Sequence, residues 1–143
     1  MILIGEVEDQ MKKKIINKYT QRYHNCFNKL IRLDYLERYL LDWLAEQADS
    51  DKDNKVKTTV SDRAEFINFI LRVSSQEGVE FQIIYKDSSV KRALNTLRNH
   101  KFLIQPPERM GRGWAWLNPE YYWNGSPLLR ANVINMIERE LNE

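Results

Sequence analysis

The segment from Ser88 to Trp116 constrains the fold more than any other part of the chain, because three local patterns follow one another in it without a break. Apolar residues at three- and four-residue spacing predict an amphipathic helix over about 89–100. They are Val90, Ala93, Leu94 and Leu97. Residues 102–104 and 114–117 then predict two antiparallel strands. The segment is therefore expected to form a helix followed by a two-stranded ribbon.

The other face of this helix is polar and basic, and no Asp or Glu lies between Ser88 and Gln105. A surface of this kind attracts a phosphate polyanion. Arg can donate two hydrogen bonds to guanine in a major groove, and Asn can both donate to and accept from adenine. The helix is therefore predicted to bind nucleic acid through seven side chains. They are Ser89, Lys91, Arg92, Asn95, Thr96, Arg98 and Asn99.

The loop between the two predicted strands carries Arg109 and Arg112, which we expect to be exposed at its tip. Two prolines end the first strand, and Gly111 and Gly113 permit the turn. Arginines at such a tip can enter a minor groove. Taken alone, each feature is more typical of a solvated helix face or a soluble edge hairpin. Their adjacency favours nucleic-acid binding.

The formal net charge of +2 hides an uneven distribution. Residues 88–130 contain seven Lys and Arg against two Asp and Glu, whereas residues 1–50 contain eight of each. The single Cys26 excludes an internal disulfide and is expected to be a small buried hydrophobe. No apolar stretch approaches the roughly twenty residues of a spanning helix, and the first ten residues are acidic where a signal peptide would be basic. We therefore predict a cytoplasmic protein with no membrane association.

Residues 1–33 are predicted only as an N-terminal arm or a strand and helix extension, with Ile2–Val7 as a candidate strand. The run Lys12, Lys13 and Lys14 is either an arm that contacts phosphates or a solvated leader. A core helix is expected from an Asp34 N-cap to about Ala48. Its predicted inward face is Leu36, Tyr39, Leu40, Trp43, Leu44 and Gln47.

After this helix, Asp49 to Lys55 is predicted to be an exposed loop, because it contains no apolar residue. Val56–Val60 is expected to be a short strand that pairs with the ribbon. Ser61 or Asp62 is the predicted N-cap of the next helix, and Gly78 its stop. The inward residues of that helix are predicted to be Phe66, Ile67, Phe69, Ile70 and Val73.

An extended connection containing Phe81, Ile83 and Tyr85 is expected next, and Lys86, Asp87 and Ser88 should cap the basic helix. A last helix should begin near Pro127 and end near Leu141. Its apolar stripe is Leu129, Val133, Ile134, Ile137 and Leu141. The stripe is predicted to pack on the core, and a homodimer through residues 127–141 is the alternative, since many DNA-binding proteins recognise paired half-sites as dimers.

The order of the predicted elements, helix, strand, helix, helix and ribbon, resembles the winged-helix fold. SSVKRALNTLRNHKFLI at 88–104 and WAWLNPEYYWNGSPLLR at 114–130 resemble the recognition helix, first wing strand and domain end of RepL-type plasmid replication initiators. The resemblance implies an α+β, mostly helical winged helix-turn-helix domain at 34–123, with an N-terminal segment at 1–33 and a C-terminal helix at 124–143. The longer connection from Ser74 to Asp87 departs from the compact turn of that family.

The resemblance implies sequence-specific binding of double-stranded DNA, in replication initiation or transcription regulation of a plasmid or phage. One alternative is a winged-helix interaction module that binds a host replication or transcription protein such as RNA polymerase through its basic face. The other is binding of single-stranded DNA or RNA by stacking on Trp114, Trp116 and Trp123. In each of these interpretations the protein binds its partner and catalyses no reaction.

No enzyme, metal or cofactor is expected. His24, His100 and Cys26 do not have the spacing of a zinc site. The chain has no glycine-rich phosphate-binding motif. The acidic run DSDKDN lacks the glycine and the terminal glutamate of a calcium loop.

Overall fold

A computed structural model describes residues 21–22, 26–76 and 82–143. Several predictions lie outside these residues. They concern the strand Ile2–Val7, the lysines Lys12, Lys13 and Lys14, the stop at Gly78, and Phe81.

The described residues form an α+β fold that is mostly helical, as predicted. Its elements are β1 (Gln21–Arg22), α1 (Phe27–Leu30), α2 (Tyr35–Gln47), β2 (Lys55–Lys57), α3 (Val60–Ser74), α4 (Asp87–Asn99), β3 (Leu103–Ile104), β4 (Trp114–Leu117), β5 (Tyr122–Trp123) and α5 (Pro127–Asn142). Strands β2, β4 and β3 form an antiparallel sheet in that order, and β1 pairs with β5. The predicted pairing of the short strand with the ribbon is confirmed, but the strand is Lys55–Lys57 and Val60 already belongs to α3.

Side-chain caps fix where the first two long helices begin. Asp34 accepts a hydrogen bond from the Glu37 amide at 2.8 Å, and the Glu37 carboxylate accepts one from the Asp34 amide at 2.9 Å. Thr59 and Asp62 form the same reciprocal box at the start of α3. Each box satisfies backbone donors that have no partner inside the helix. The predicted Asp34 cap is confirmed, whereas the predicted Ser61 or Asp62 cap is wrong because Asp62 is already the third helical residue.

The three-stranded sheet separates two apolar layers. Val56, Ala115 and Leu117 are buried on the face that packs against the helical core. Trp116 lies on the opposite face, where it packs with Val133 and Ile137 of α5. The last helix thus packs within the protein, as predicted, but its contacts are with a second apolar cluster on the outer face of the sheet and not with the main helical core. The outer residues of its stripe are less covered, and Leu141 is exposed.

The buried faces of α2 and α3 differ in part from the predicted ones. In α2, Leu40, Leu41, Leu44 and Ala45 are buried, while Tyr39 and Gln47 are exposed. In α3, Phe66 and Ile70 are buried, but Val73 is exposed. The spacing of apolar residues shows that each helix has an apolar side, but it does not show which residues at the margin of that side are covered by neighbouring helices. For α2, the main neighbour is α4. Cys26 is fully buried, as predicted.

The segment before β2 contains a fully buried side chain, which contradicts its prediction as an exposed loop. After the 3-10 turn at Ser50–Lys52, the Asn54 Nδ2 donates to the Leu117 carbonyl at 2.8 Å and to the Tyr122 carbonyl at 3.0 Å. Its backbone has a left-handed φ of 63°, which Asn adopts at less cost than most residues. One amide therefore joins the start of β2 to β4 and β5.

Replacing Asn54 by Ala should lower the free energy of unfolding by about 2 to 4 kcal/mol, because two buried carbonyls lose their donor. Asp53→Ala is the matched control, since Asp53 has a similar φ of 57° but is less buried. That control should cost about 1 kcal/mol through backbone strain. Urea denaturation measures both values. Equal losses in the two variants would contradict the assigned role of the Asn54 amide.

Candidate nucleic-acid interface

Helix α4 separates its apolar and polar residues as predicted. Val90, Ala93, Leu94 and Leu97 are all buried. On the other side, Lys91, Arg92, Asn95 and Asn99 are exposed, whereas Ser89, Thr96 and Arg98 are half-buried. The helix begins at Asp87, and its N-cap residue Lys86 makes no side-chain capping bond, so the predicted cap is wrong.

The connection between α3 and α4 runs back along α3. The Ile83 amide donates to the Ser74 Oγ at 2.8 Å, near the end of α3. Tyr85 then stacks on Phe66, with ring centroids 6.4 Å apart, nearer the middle of that helix. In a helix-turn-helix, a turn of three or four residues joins the end of one helix to the start of the next. Here α4 begins instead beside the first turns of α3.

Arg63 joins the start of α4 to the end of β2. Its Nε donates to the Asp87 Oδ1 at 2.7 Å, and its Nη1 donates to the Thr58 carbonyl at 2.9 Å. Arg63 is almost fully buried, with 8% of the residue exposed. The Thr58 amide in turn donates to the Gly113 carbonyl at 2.8 Å. A single side chain therefore places the base of the β3–β4 loop beside the first turn of the basic helix.

The same contact changes the charge of α4. Asp87 is the only acidic residue in that helix, and the hydrogen bond from Arg63 lowers the pKa of its carboxyl group. Its negative charge is thus matched by a buried guanidinium. Asp87 itself is exposed, and the other exposed charges of α4 are Lys91 and Arg92, with amides from Asn95 and Asn99 beside them.

The two loop arginines differ in their surroundings. The Arg109 Nη2 donates to the Glu140 carboxylate at 2.6 Å and to the Glu140 carbonyl at 2.9 Å, near the end of α5. Arg109 is exposed, as predicted, with 43% of its side chain accessible, but the last turn of α5 reaches it and engages its guanidinium. Arg112 is 85% exposed, and its 3.6 Å contact with the equally exposed Glu108 is screened by solvent.

The two predicted loop glycines do have positive φ, 94° at Gly111 and 82° at Gly113. A Cβ on Gly113 would lie only 2.9 Å from the Thr59 Cγ2. Gly113 is thus required both by its backbone conformation and by the close approach of α3 to the loop.

Arg98 lies along α4 and does not extend from it. Its Nη1 donates to the Asn95 Oδ1 at 2.9 Å, one helical turn away. Burial lowers the pKa of Arg98, with a smaller contribution from nearby Arg63. This geometry fixes the orientation of the Asn95 amide, since the Oδ1 faces Arg98 and the Nδ2 must point elsewhere.

Sequence reasoning missed a second group of basic residues beside the loop. Lys55 and Lys57 are exposed on either side of buried Val56. With Lys52, Arg112 and Trp114 they line a groove of about 870 Å³. The alternation Lys-Val-Lys was the available signal, because the two lysines of such a strand must lie on one face.

Two of the three candidate stacking tryptophans are inaccessible. Trp116 and Trp123 have no exposed surface. Trp114 is half-buried, and the Lys55 Nζ lies 4.8 Å from its ring centroid. Only Trp114 of this group can therefore meet a nucleotide in the folded protein.

A second, apolar groove lies between α2 and α3. No Lys or Arg is among its described lining residues, although the Arg72 guanidinium lies 5.9 Å from the centroid of the Phe69 ring. The groove has a volume of about 430 Å³ and is lined mainly by Trp43, Phe69 and Ile70, with Asp42 and Glu46 at its edge. Its chemistry suits an apolar ligand and does not suit a polyanion.

The described part of the chain contains no group of three or more His, Cys, Asp and Glu placed to hold a metal ion. Within those same residues, no helix has both the length and the apolar character needed to cross a membrane. Comparisons with protein-family models, curated proteins and solved structures found no match. The function is therefore inferred from the residues of this chain.

The Arg63–Asp87 contact should make stability depend on pH in the acid range. Because the pKa of folded Asp87 is lowered, the contact stabilises the protein above the unfolded pKa of about 4 and is lost as pH falls through the folded value. Wild type should thus exceed Asp87→Asn in unfolding free energy at pH 7, and the difference should shrink below about pH 4. Asp51→Asn, at an exposed site, is the control. A difference that stays constant from pH 7 to pH 3 would refute the ion pair.

Proposed function

We propose that this protein is a winged-helix protein that binds double-stranded DNA in a sequence-specific manner. In this proposal α4 is the recognition helix and the β3–β4 loop is the wing. The order of helices and strands and the strand order β2-β4-β3 support it. The long connection between α3 and α4 departs from the compact turn of the usual helix-turn-helix. Here the start of α4 is held against α3 by the hydrogen bond between Arg63 and Asp87.

The observation that carries the proposal is the exposed face of α4. It presents Lys91, Arg92, Asn95 and Asn99, and the one carboxylate of the helix is engaged by Arg63. Cationic and amide side chains without an opposing acid suit the phosphates and base edges of a major groove. The loop that supplies Arg112 is held against the same end of α4 through Thr58.

The individual roles follow from exposure. Arg92 and Asn95 are assigned to base edges, and Lys91 to phosphates. Arg112 is assigned to the minor groove beside the wing, where arginine favours narrow A-tracts. Arg109 is assigned to holding the wing against α5, because DNA would have to displace Glu140 to reach it. The half-buried Ser89 and Thr96 and the exposed Asn99 are expected to contact the backbone at the edge of the helix.

The biological setting proposed is replication initiation or transcription regulation of a plasmid or phage. It rests on the resemblance of residues 88–104 and 114–130 to RepL-type initiators. Dimerisation through residues 127–141 belongs to the same proposal. Val133 and Ile137 already pack on the sheet, so a dimer would use the outer side of α5, where Leu128 is 73% exposed.

A protein-interaction module is the second candidate, and the apolar groove between α2 and α3 favours it. Such a groove suits an apolar segment of a replication or transcription protein. The single-strand alternative has less support, since burial leaves only Trp114 of the three tryptophans partly accessible.

Selection from a pool of randomised DNA duplexes at near-physiological salt tests the proposal. We expect an enriched site, and an inverted repeat within it would indicate a dimer. Recovery without enrichment would reduce the function to backbone binding. If no duplex were recovered, DNA binding would be refuted in favour of the protein-interaction candidate.

Arg92→Ala should relax the base preference at particular positions of the selected site, at a cost of about 1 to 3 kcal/mol in binding free energy. Arg109→Ala is the matched control, because that arginine is engaged by Glu140 and should leave base preference unchanged. Binding to single-base variants of the site measures both. An equal loss by Arg92→Ala on every sequence would make Arg92 a phosphate contact.

Arg98 should act through Asn95, since its Nη1 holds the Asn95 Oδ1. Arg98→Ala should then weaken discrimination at the base that Asn95 reads, and should have little further effect once Asn95 is also Ala. A double-mutant cycle on the selected site measures this coupling. Additive losses would instead assign Arg98 its own contact with DNA.

A further inference from the structure

The groove between β2, the start of α3 and the wing is lined by charged side chains that do not belong to α4. Its basic wall consists of Lys52, Lys55, Lys57 and Arg112. Its opposite wall carries Asp62 and Glu65 from α3. The Asp62 carboxylate already accepts a hydrogen bond from the Thr59 amide at 3.0 Å. The groove is thus divided into a basic side along the sheet edge and an acidic side along the helix.

The strand register gives the basic side a regular spacing. Lys57 pairs with Trp114 and Lys55 pairs with Trp116, so both lysines extend from the sheet face opposite buried Val56. Residues two apart on a strand are separated by about 6.8 Å. This separation is comparable to that of successive phosphates along one DNA strand. Since α5 covers Trp116 on this face but both lysines are exposed, the edge strand remains open.

Lys55 is also tied to the wing. Its Nζ lies 4.8 Å from the Trp114 ring centroid, and the Trp114 Nε1 donates to the Met110 carbonyl at 3.2 Å. A cation held over an aromatic ring loses less conformational freedom when it binds a ligand. The position of the ammonium group is thereby coupled to the same loop that carries Arg112.

We propose that Lys55 and Lys57 form a second DNA contact, in which the edge strand β2 binds the phosphate backbone of the duplex beside the wing. This inference rests on the proposed function, because the ligand is the same duplex. It adds a sequence-independent contact outside α4, so that the bound DNA extends past the wing and over the edge of the sheet. The acidic wall of α3 keeps the backbone on the lysine side of the groove.

The experiment compares Lys55→Gln/Lys57→Gln with wild type on the selected duplex and on an unrelated duplex, from 50 to 200 mM salt. Each lost phosphate contact should reduce the salt slope by about 0.9, so the double variant should lose up to about 1.8. Its affinity deficit should consequently shrink by about tenfold across that salt range. The deficit should be the same on both duplexes, because phosphates carry no sequence information.

Two further variants sharpen the test. Lys57→Gln alone keeps the Lys55 contact with Trp114, and it should reduce the salt slope by about half as much as the double variant does. Arg32→Gln/Arg139→Gln also removes two positive charges, but from exposed sites in the α1–α2 turn and in α5. It should leave the salt slope close to that of wild type. All four changed side chains are exposed, and thermal unfolding checks that each variant is folded.

The outcomes separate the two proposals. If wild type binds duplex DNA and the lysine variant has the wild-type salt slope, the contact at β2 is overturned and the proposed function stands. A change in base preference in the lysine variant would also overturn it, because it would place these lysines at base edges. Failure of wild type to bind any duplex would overturn both.

Discussion

The placement of the proposed interface depends on the buried guanidinium of Arg63. Three of its nitrogens are used, two on the Asp87 carboxylate and one on the Thr58 carbonyl. Because the guanidinium is planar and has several donors, it can hold a helix start and a strand end at the same time. A lysine could not satisfy both in this geometry. Because the Thr58 amide donates to the Gly113 carbonyl, Arg63 also fixes the position of the wing through Thr58.

The charge that a partner meets differs from the charge counted along the sequence. Residues 88–130 carry a basic excess, but Arg98 faces Asn95 and Arg109 faces Glu140. In contrast, Lys55 and Lys57 come from a stretch that is balanced in sequence, and yet they stand beside Arg112 on one groove. Contacts within the protein thus engage some of these cations, and folding gathers others along one groove. The proposed footprint on DNA is the result of both.

Local patterns predicted the parts of this fold that depend on local chemistry. The stripe of α4, the strands of the ribbon and the Asp34 cap follow from spacing and capping within a few residues. The burial of Asn54 and the contact of Arg109 with Glu140 were missed for one reason, which is that the partners lie 63 or 68 and 31 residues away in the chain. The pairing of Gln21–Arg22 with Tyr122–Trp123 is non-local in the same way. The site was predicted where it lies on one helix and missed where it depends on β2.

In the proposed complex, α4, the wing and the edge of β2 form one surface for duplex DNA. Backbone amide chemical shifts of the labelled protein, recorded during titration with a selected duplex, map this surface residue by residue. We expect the largest changes at residues 87–99, 108–114 and 55–57, with little change around the apolar groove at Trp43 and Phe69. Changes centred on that groove, or spread evenly over the chain, would contradict the proposed complex.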